Sequence, residues 1–218
     1  MNTSRILIID NKPIVRKGLI HSLSEYSELD ITGECDDINR AYGMVANLKP
    51  DIIILDITIG NIDTFHFIKS IKKDYSKLKI IVLSMQDKMF YIEKAFKNGA
   101  DGYILKSESI DAIISAIRTI KKDEIYIKDD LKNRLLNSLL KKPNKNGSGL
   151  PSLLSDREFQ VFKLISRGFG MDEVSQELNI SVKTANNHRD NIKQKLNINN
   201  SRELVKYAIL WNNEKKKY

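Results

Sequence analysis

Through the first 125 residues, apolar and polar positions alternate in blocks rather than singly. Runs rich in Ile, Val and Leu occur at 5–9, 52–55, 79–83 and 102–105, with a weaker run at 29–35. Between them, apolar residues recur at helical spacing over 14–23, 38–48, 65–71, 90–96 and 110–120. The last segment is the clearest, with Ile110, Ile113, Ile114, Ile117 and Ile120 on one face. Strands that read as unbroken apolar runs are buried on both faces. Alternation with helices then predicts an α/β doubly wound, five-stranded parallel sheet of flavodoxin-like type.

The pattern changes after residue 125. Residues 129–140 read as a short connecting helix, and 140–149 is polar, with Pro143, Gly147 and Gly149. Residues 126–150 are therefore expected to be a linker with a short helix, joining a domain of residues 1–125 to one of residues 151–218. The second domain reads as all-α with four helices. Ser155 and Glu158 form a capping box that opens its first helix, and Gly168 and Gly170 stop that helix. A short helix over 172–178, a turn at Asn179, Ile180 and Ser181, a longer helix to Leu196, and a last helix over 201–211 follow. Helix, turn and longer helix have the spacing of a helix-turn-helix.

Charge sharpens this division. The net charge is +8. Residues 1–125 carry 18 basic and 18 acidic side chains, whereas 126–150 and 151–218 are each +4. A basic segment attached to a neutral one points to a polyanionic partner for the C-terminal part, nucleic acid first. The longest apolar run is far too short to span a membrane. No signal peptide fits the opening residues, and the lone Cys35 builds neither an internal disulfide nor a zinc site. A cytoplasmic, non-enzymatic protein is the expectation.

In an open parallel sheet, function collects beyond the carboxyl ends of the strands. Asp10 and Asn11 follow the first run, Asp56 ends the third, Ser84 follows the fourth and Lys106 the fifth. A carboxylate there can accept a phosphoryl group as an acyl phosphate. Hard oxygens would hold a magnesium ion against the donor's phosphoryl oxygens, and a lysine would neutralise the product. The sequence has no glycine-rich phosphate loop, which argues against binding of a whole nucleotide. In the longer C-terminal helix, Lys183, Asn186, Asn187 and Asp190 face out, and Lys193 and Lys195 flank the far end. Asparagine pairs with an adenine edge and lysine with phosphate.

At Ile9-Asp10, Pro13, Leu55-Asp56, Ser84, Gly99 to Tyr103 and Leu105-Lys106 the first domain resembles the receiver domain of two-component response regulators. The resemblance implies that Asp56 takes a phosphoryl group from the histidine of a sensor kinase and that Lys106 pairs with the phosphorylated carboxylate. It implies that Ser84 and Tyr103 form a switch pair, the ring swinging inward, and that Asp10, Asn11, Asp56 and Thr58 surround the magnesium. At Leu154 to Glu158, Gly168, Glu173-Val174, Leu178, Lys183-Thr184, Asn187 to Arg189 and Lys195-Leu196, the second domain looks like the LuxR-type DNA-binding module. This adds Thr184 and His188 to the DNA-facing set. Together the two domains resemble the NarL/FixJ subfamily, which implies a transcription regulator that binds double-stranded DNA as a homodimer. Two departures stand out. Receivers usually carry a second acid where this chain has Asn11, and the loop from Thr58 to Thr64 lacks the usual Met-Pro pair. Asn11 motivates an alternative: phosphorylation-independent DNA binding controlled by dimerisation. A phosphatase reading ranks lower, because Thr58 stands where a second acid is needed.

Overall fold

Five of the strands begin and end within one residue of the apolar runs. The computed structural model describes residues 3–59, 64–140 and 153–213. The expected linker segment 141–150 and residues 60–63 of the loop after Asp56 lie outside the described residues. The chain divides into two units, Met1–Leu140 and Lys141–Tyr218.

The first unit runs β1 (Ser4–Ile9), α1 (Pro13–Leu23), β2 (Leu29–Cys35), α2 (Ile38–Leu48), β3 (Ile52–Asp56), α3 (Thr64–Asp74), β4 (Lys79–Ser84), α4 (Met89–Lys97), β5 (Gly102–Leu105), α5 (Ile110–Ile120), β6 (Tyr126–Ile127) and α6 (Asp129–Leu140). All strand pairs are parallel, in the order β2-β1-β3-β4-β5-β6. The order reverses between β1 and β3, which opens a crevice at their carboxyl ends. Ile9 is in register with Leu55, so Asp10 and Asp56 emerge side by side.

The core explains the pattern. Ile6 to Ile9 and Ile52 to Leu55 are at most 1% exposed, because helices cover both faces of the sheet. On α5, Ile113, Ile114, Ile117 and Ile120 are buried against the strands. Each such side chain contributes about 1.5–3 kcal/mol relative to remaining in water. Ile110, expected on the same face, is only partly buried at the helix start. Local signals agree with this packing. Pro13 opens α1, and Asp37 caps α2 by accepting from the Asn39 amide at 2.9 Å.

Two expectations need correction. The sheet has six strands rather than five, because Tyr126 and Ile127 pair with Gly102 and Tyr103. The expected linker therefore does not start at 126. Residues 126–140 pack with the first unit, and Leu131 of α6 is 2% exposed. A two-residue strand has too little length to show a period, so backbone pairing rather than side-chain pattern defines it.

The second unit has the four expected helices: α7 (Asp156–Ser166), α8 (Met171–Glu177), α9 (Val182–Leu196) and α10 (Ser201–Asn213). The capping box is formed in both directions, with the Ser155 amide donating to Glu158 at 2.7 Å and the Glu158 amide to Ser155 Oγ at 3.3 Å. Gly168, at φ +93°, turns the chain after α7, while Gly170 caps the start of α8. Asn179 and Asn197 adopt the left-handed conformation at the ends of α8 and α9, a role asparagine tolerates. The core is aromatic: the Trp211 ring meets Phe159 and Phe162 edge-on at 5.7 and 5.4 Å.

Candidate functional site

The crevice between β1 and β3 gathers the residues expected there. Asp10 and Asp56 are 2% and 1% exposed. Lys106, held by the backbone bond from its amide to the Ser84 carbonyl at 2.8 Å, sends its ammonium between them. Nζ donates to Asp56 Oδ2 at 2.8 Å and also to Asp10 Oδ2. Asp56 Oδ1 accepts from the Thr58 amide at 2.8 Å and from Thr58 Oγ1 at 2.7 Å. Asp10 Oδ1 accepts from the Lys12 amide at 2.8 Å. Each carboxylate oxygen thus has a partner, as burial of charge demands. Two carboxylates against one ammonium leave a formal charge of −1.

Arg16 of α1 was not singled out from the sequence. Its Nη1 donates to the Asp10 carbonyl at 2.6 Å, and its Nε pairs with Glu34 at 2.8 Å. It thereby braces the turn that presents Asp10. An arginine one helical turn beyond the first loop is too common a feature to have signalled this.

The expected switch residues meet at the adjoining loop. Ser84 is fully buried, and its Oγ accepts from the Gln86 amide at 2.9 Å. The Tyr103 ring is also fully buried and lies inward, its hydroxyl donating to the Gln86 carbonyl at 2.6 Å. Burial pushes that hydroxyl above the ordinary tyrosine range.

Asn11 is exposed at the mouth of the crevice. Among the described residues no group of three or more His, Cys, Asp or Glu side chains stands together. The donors at the crevice are still all oxygen and include two carboxylates, which suits magnesium, an ion that keeps several waters and needs one or two carboxylates.

On α9, Lys183, Asn187 and Asp190 are exposed as expected. Asn191 and Gln194 continue this stripe and were passed over, although their spacing from Lys183 and Asn187 would have placed them on it. Thr184 and His188 are half-buried. Asn186 is also half-buried, and its Nδ2 donates to the Val182 carbonyl at 2.9 Å. Lys193 pairs with Asp190 at 3.0 Å, which lowers the Asp190 carboxyl below its ordinary value. Lys195 is exposed as well, but it is paired. Its ammonium lies 2.6 Å from the buried Glu158 carboxylate and ties α9 to the start of α7. Burial alone would raise the Glu158 carboxyl, but bonds from Lys195 and Ser155 outweigh it and hold the group below its ordinary value. Ala185, Ile192 and Leu196 form the buried side of the helix. Among the described residues, no helix is long and apolar enough to cross a membrane.

Comparison with known proteins matches both units. Residues 6–118 match the family described as the response regulator receiver domain. Residues 152–208 match the bacterial regulatory proteins of the luxR family. The oxygen regulatory protein NreC of Staphylococcus carnosus is 32% identical over 213 residues, covering 94% of this chain and 96% of that protein. Among solved structures, the RcsB response regulator of Salmonella typhimurium superposes with a TM-score of 0.72 at 25% identity, over 97% of this chain and 99% of that one. RcsB of Salmonella enterica serovar Typhimurium, bound to promoter rprA in the presence of the phosphomimetic BeF3-, gives 0.70 at 26% identity, over 95% and 98%.

Proposed function

The chain belongs to the two-component response regulators that join a receiver domain to a LuxR-type DNA-binding domain, and on that premise we propose that Asp56 is its phosphoacceptor and that phosphorylation gates DNA binding by α9. The observation that carries this reading is the Lys106 ammonium shared between Asp56 and Asp10 in the β1–β3 crevice. An Asp56 oxygen attacks the phosphorus of a phosphohistidine in a sensor kinase. The new bond forms as the P–N bond breaks, and the imidazole keeps the electron pair. Lys106 then faces the added negative charge at close range. The Ser84 hydroxyl, one strand away, turns toward the phosphoryl oxygens.

Asp10, Asp56, Asn11 and Thr58 would hold a magnesium ion, weakly because Asn11 offers a neutral oxygen in place of a charged one. Bound there, the ion supplies screening of the phosphoryl oxygens. In the second unit, Lys183, Asn187, Asp190, Asn191 and Gln194 form the surface that enters the major groove, and Lys193 and Thr184 border it. Two copies grip two half-sites. The exposed Val205, Ile209 and Leu210 on α10 supply an apolar surface for that pairing. The protein works in the cytoplasm as a regulator rather than an enzyme.

Intact mass after incubation with acetyl phosphate and magnesium tests the phosphoacceptor. Wild type gains one phosphoryl group and Asp56→Asn gains none; equal labelling of both would overturn the assignment. A second reading, DNA binding that does not need phosphate, is favoured by Asn11, which leaves the crevice with less negative charge than a second acid there would.

A further inference from the structure

The two switch side chains converge on a single residue. Ser84 Oγ accepts from the Gln86 amide, and Tyr103 donates to the Gln86 carbonyl. The loop between β4 and α4 is thus held from both sides at Gln86. The next residue, Asp87, faces α6. Arg134 Nη2 donates to the Asp87 carbonyl at 3.3 Å, and Arg134 Nη1 lies 3.8 Å from the Asp87 carboxylate. Leu131, one turn earlier on α6, is buried and anchors the helix. Tyr103 reaches α6 by a second route as well, since its backbone is in register with Ile127 of β6, which leads directly into that helix. α6 ends at Leu140, where the chain continues toward the DNA-binding unit.

We propose that Arg134 is a latch through which α6 senses the position of the β4–α4 loop, so that a change at Ser84 and Tyr103 alters the hold on the helix preceding the linker. The proposal rests on the phosphoacceptor reading for its trigger, but the latch itself is a resting contact. Its weakness suits the role. The Arg134 and Asp87 side chains are 43% and 60% exposed, and such a pair in water is worth little, so a small loop movement suffices to release it. Seating the Ser84 hydroxyl on a phosphoryl group at Asp56 shifts its hold on Gln86. Asp87, bonded in sequence to Gln86, moves with it, and Arg134 loses its acceptors. Leu131 keeps α6 docked, so the helix loosens without detaching.

Hydrogen–deuterium exchange of the full chain, with and without beryllium fluoride as a phosphoryl mimic, tests this. In wild type, amides of 84–88 and of 126–140 both change on adding the mimic. In Arg134→Ala, resting exchange over 126–140 rises by up to about fivefold and no longer responds to the mimic, while 84–88 still responds. Exchange at 52–56, in the sheet core, stays at the wild-type rate and serves as the fold control. Resting exchange over 126–140 equal to wild type, or a response to the mimic that survives in the variant, would overturn the latch. If 84–88 of wild type ignores the mimic, the phosphoacceptor reading fails instead, and the resting comparison alone then decides the latch.

Discussion

Lys106 carries its ammonium into a space from which water is largely excluded, with a carboxylate on either side. Removing one member of a buried ion cluster leaves uncompensated charge, which costs more than the cluster is worth intact. Lys106→Met is therefore expected to lower stability by about 3 kcal/mol in urea unfolding at neutral pH. Adding Asp10→Asn should recover much of that loss, because one of the two facing charges is gone; no recovery would mean that the two carboxylates do not repel through the pocket. Glu158 makes the opposite case, an acid whose partners lower its titration below the ordinary 4.5. The unfolded chain binds the proton more tightly, so the contribution of Glu158 is fully present above that ordinary value. It is lost as pH falls through the lower folded value. The stability gap between wild type and Glu158→Gln should accordingly shrink as pH is lowered from about 6 to below 4. A gap that widened on acidification would contradict the Lys195 pairing as its source.

At the level of elements, α9 separates two lysines that look alike in sequence. Both are exposed, but Lys195 is bound to the buried Glu158 carboxylate, whereas Lys183 stands near the start of the helix. Lys183→Ala should weaken binding to any duplex and flatten the salt dependence by about one unit. Lys195→Ala should leave the salt slope nearly unchanged and instead lower the unfolding midpoint, since it strips the partner from a buried carboxylate. Asn187→Ala should relax sequence preference at one base position, at a cost of about 1–3 kcal/mol. The helical period places both lysines off the apolar face, and nothing local announces that Glu158, far back in the chain, reaches Lys195. Long apolar strands were legible for a physical reason: burial on both faces removes polar residues and leaves a block that stands out. The acidic crevice was legible because strand ends and strand order together bring Asp10, Asp56 and Lys106 to one edge. β6 was not, because a pair of residues joined to β5 by backbone bonds leaves no side-chain period. The bond from Asn186 to the Val182 carbonyl of its own helix was equally hidden, as it depends on a side-chain rotamer.

For the whole molecule the question is how far the crevice governs the DNA-binding unit, and Asn11 frames it. A third carboxylate at that position would raise the formal charge of the crevice from −1 to −2 and leave more repulsion for a cation to relieve. With Asn11, Lys106 already neutralises one of the two carboxylate charges, so less repulsion is left for a metal to relieve. Asn11→Asp is therefore expected to tighten magnesium binding clearly in a calorimetric titration, because the ion gains a hard, charged ligand. Equal affinity in both proteins would show that Asp10, Asp56 and backbone oxygens suffice. The consequence for DNA follows from population arithmetic. A receiver that sits partly in its active arrangement when unphosphorylated needs only a small further bias, and the phosphoryl group then changes operator affinity by a correspondingly small factor. Asp56→Asn should then retain operator binding within about tenfold of the phosphorylated wild type, a difference below 1.4 kcal/mol. Loss of all operator affinity in that variant, with its fold intact by circular dichroism, would instead place the resting chain wholly in the inactive state and make phosphorylation obligatory.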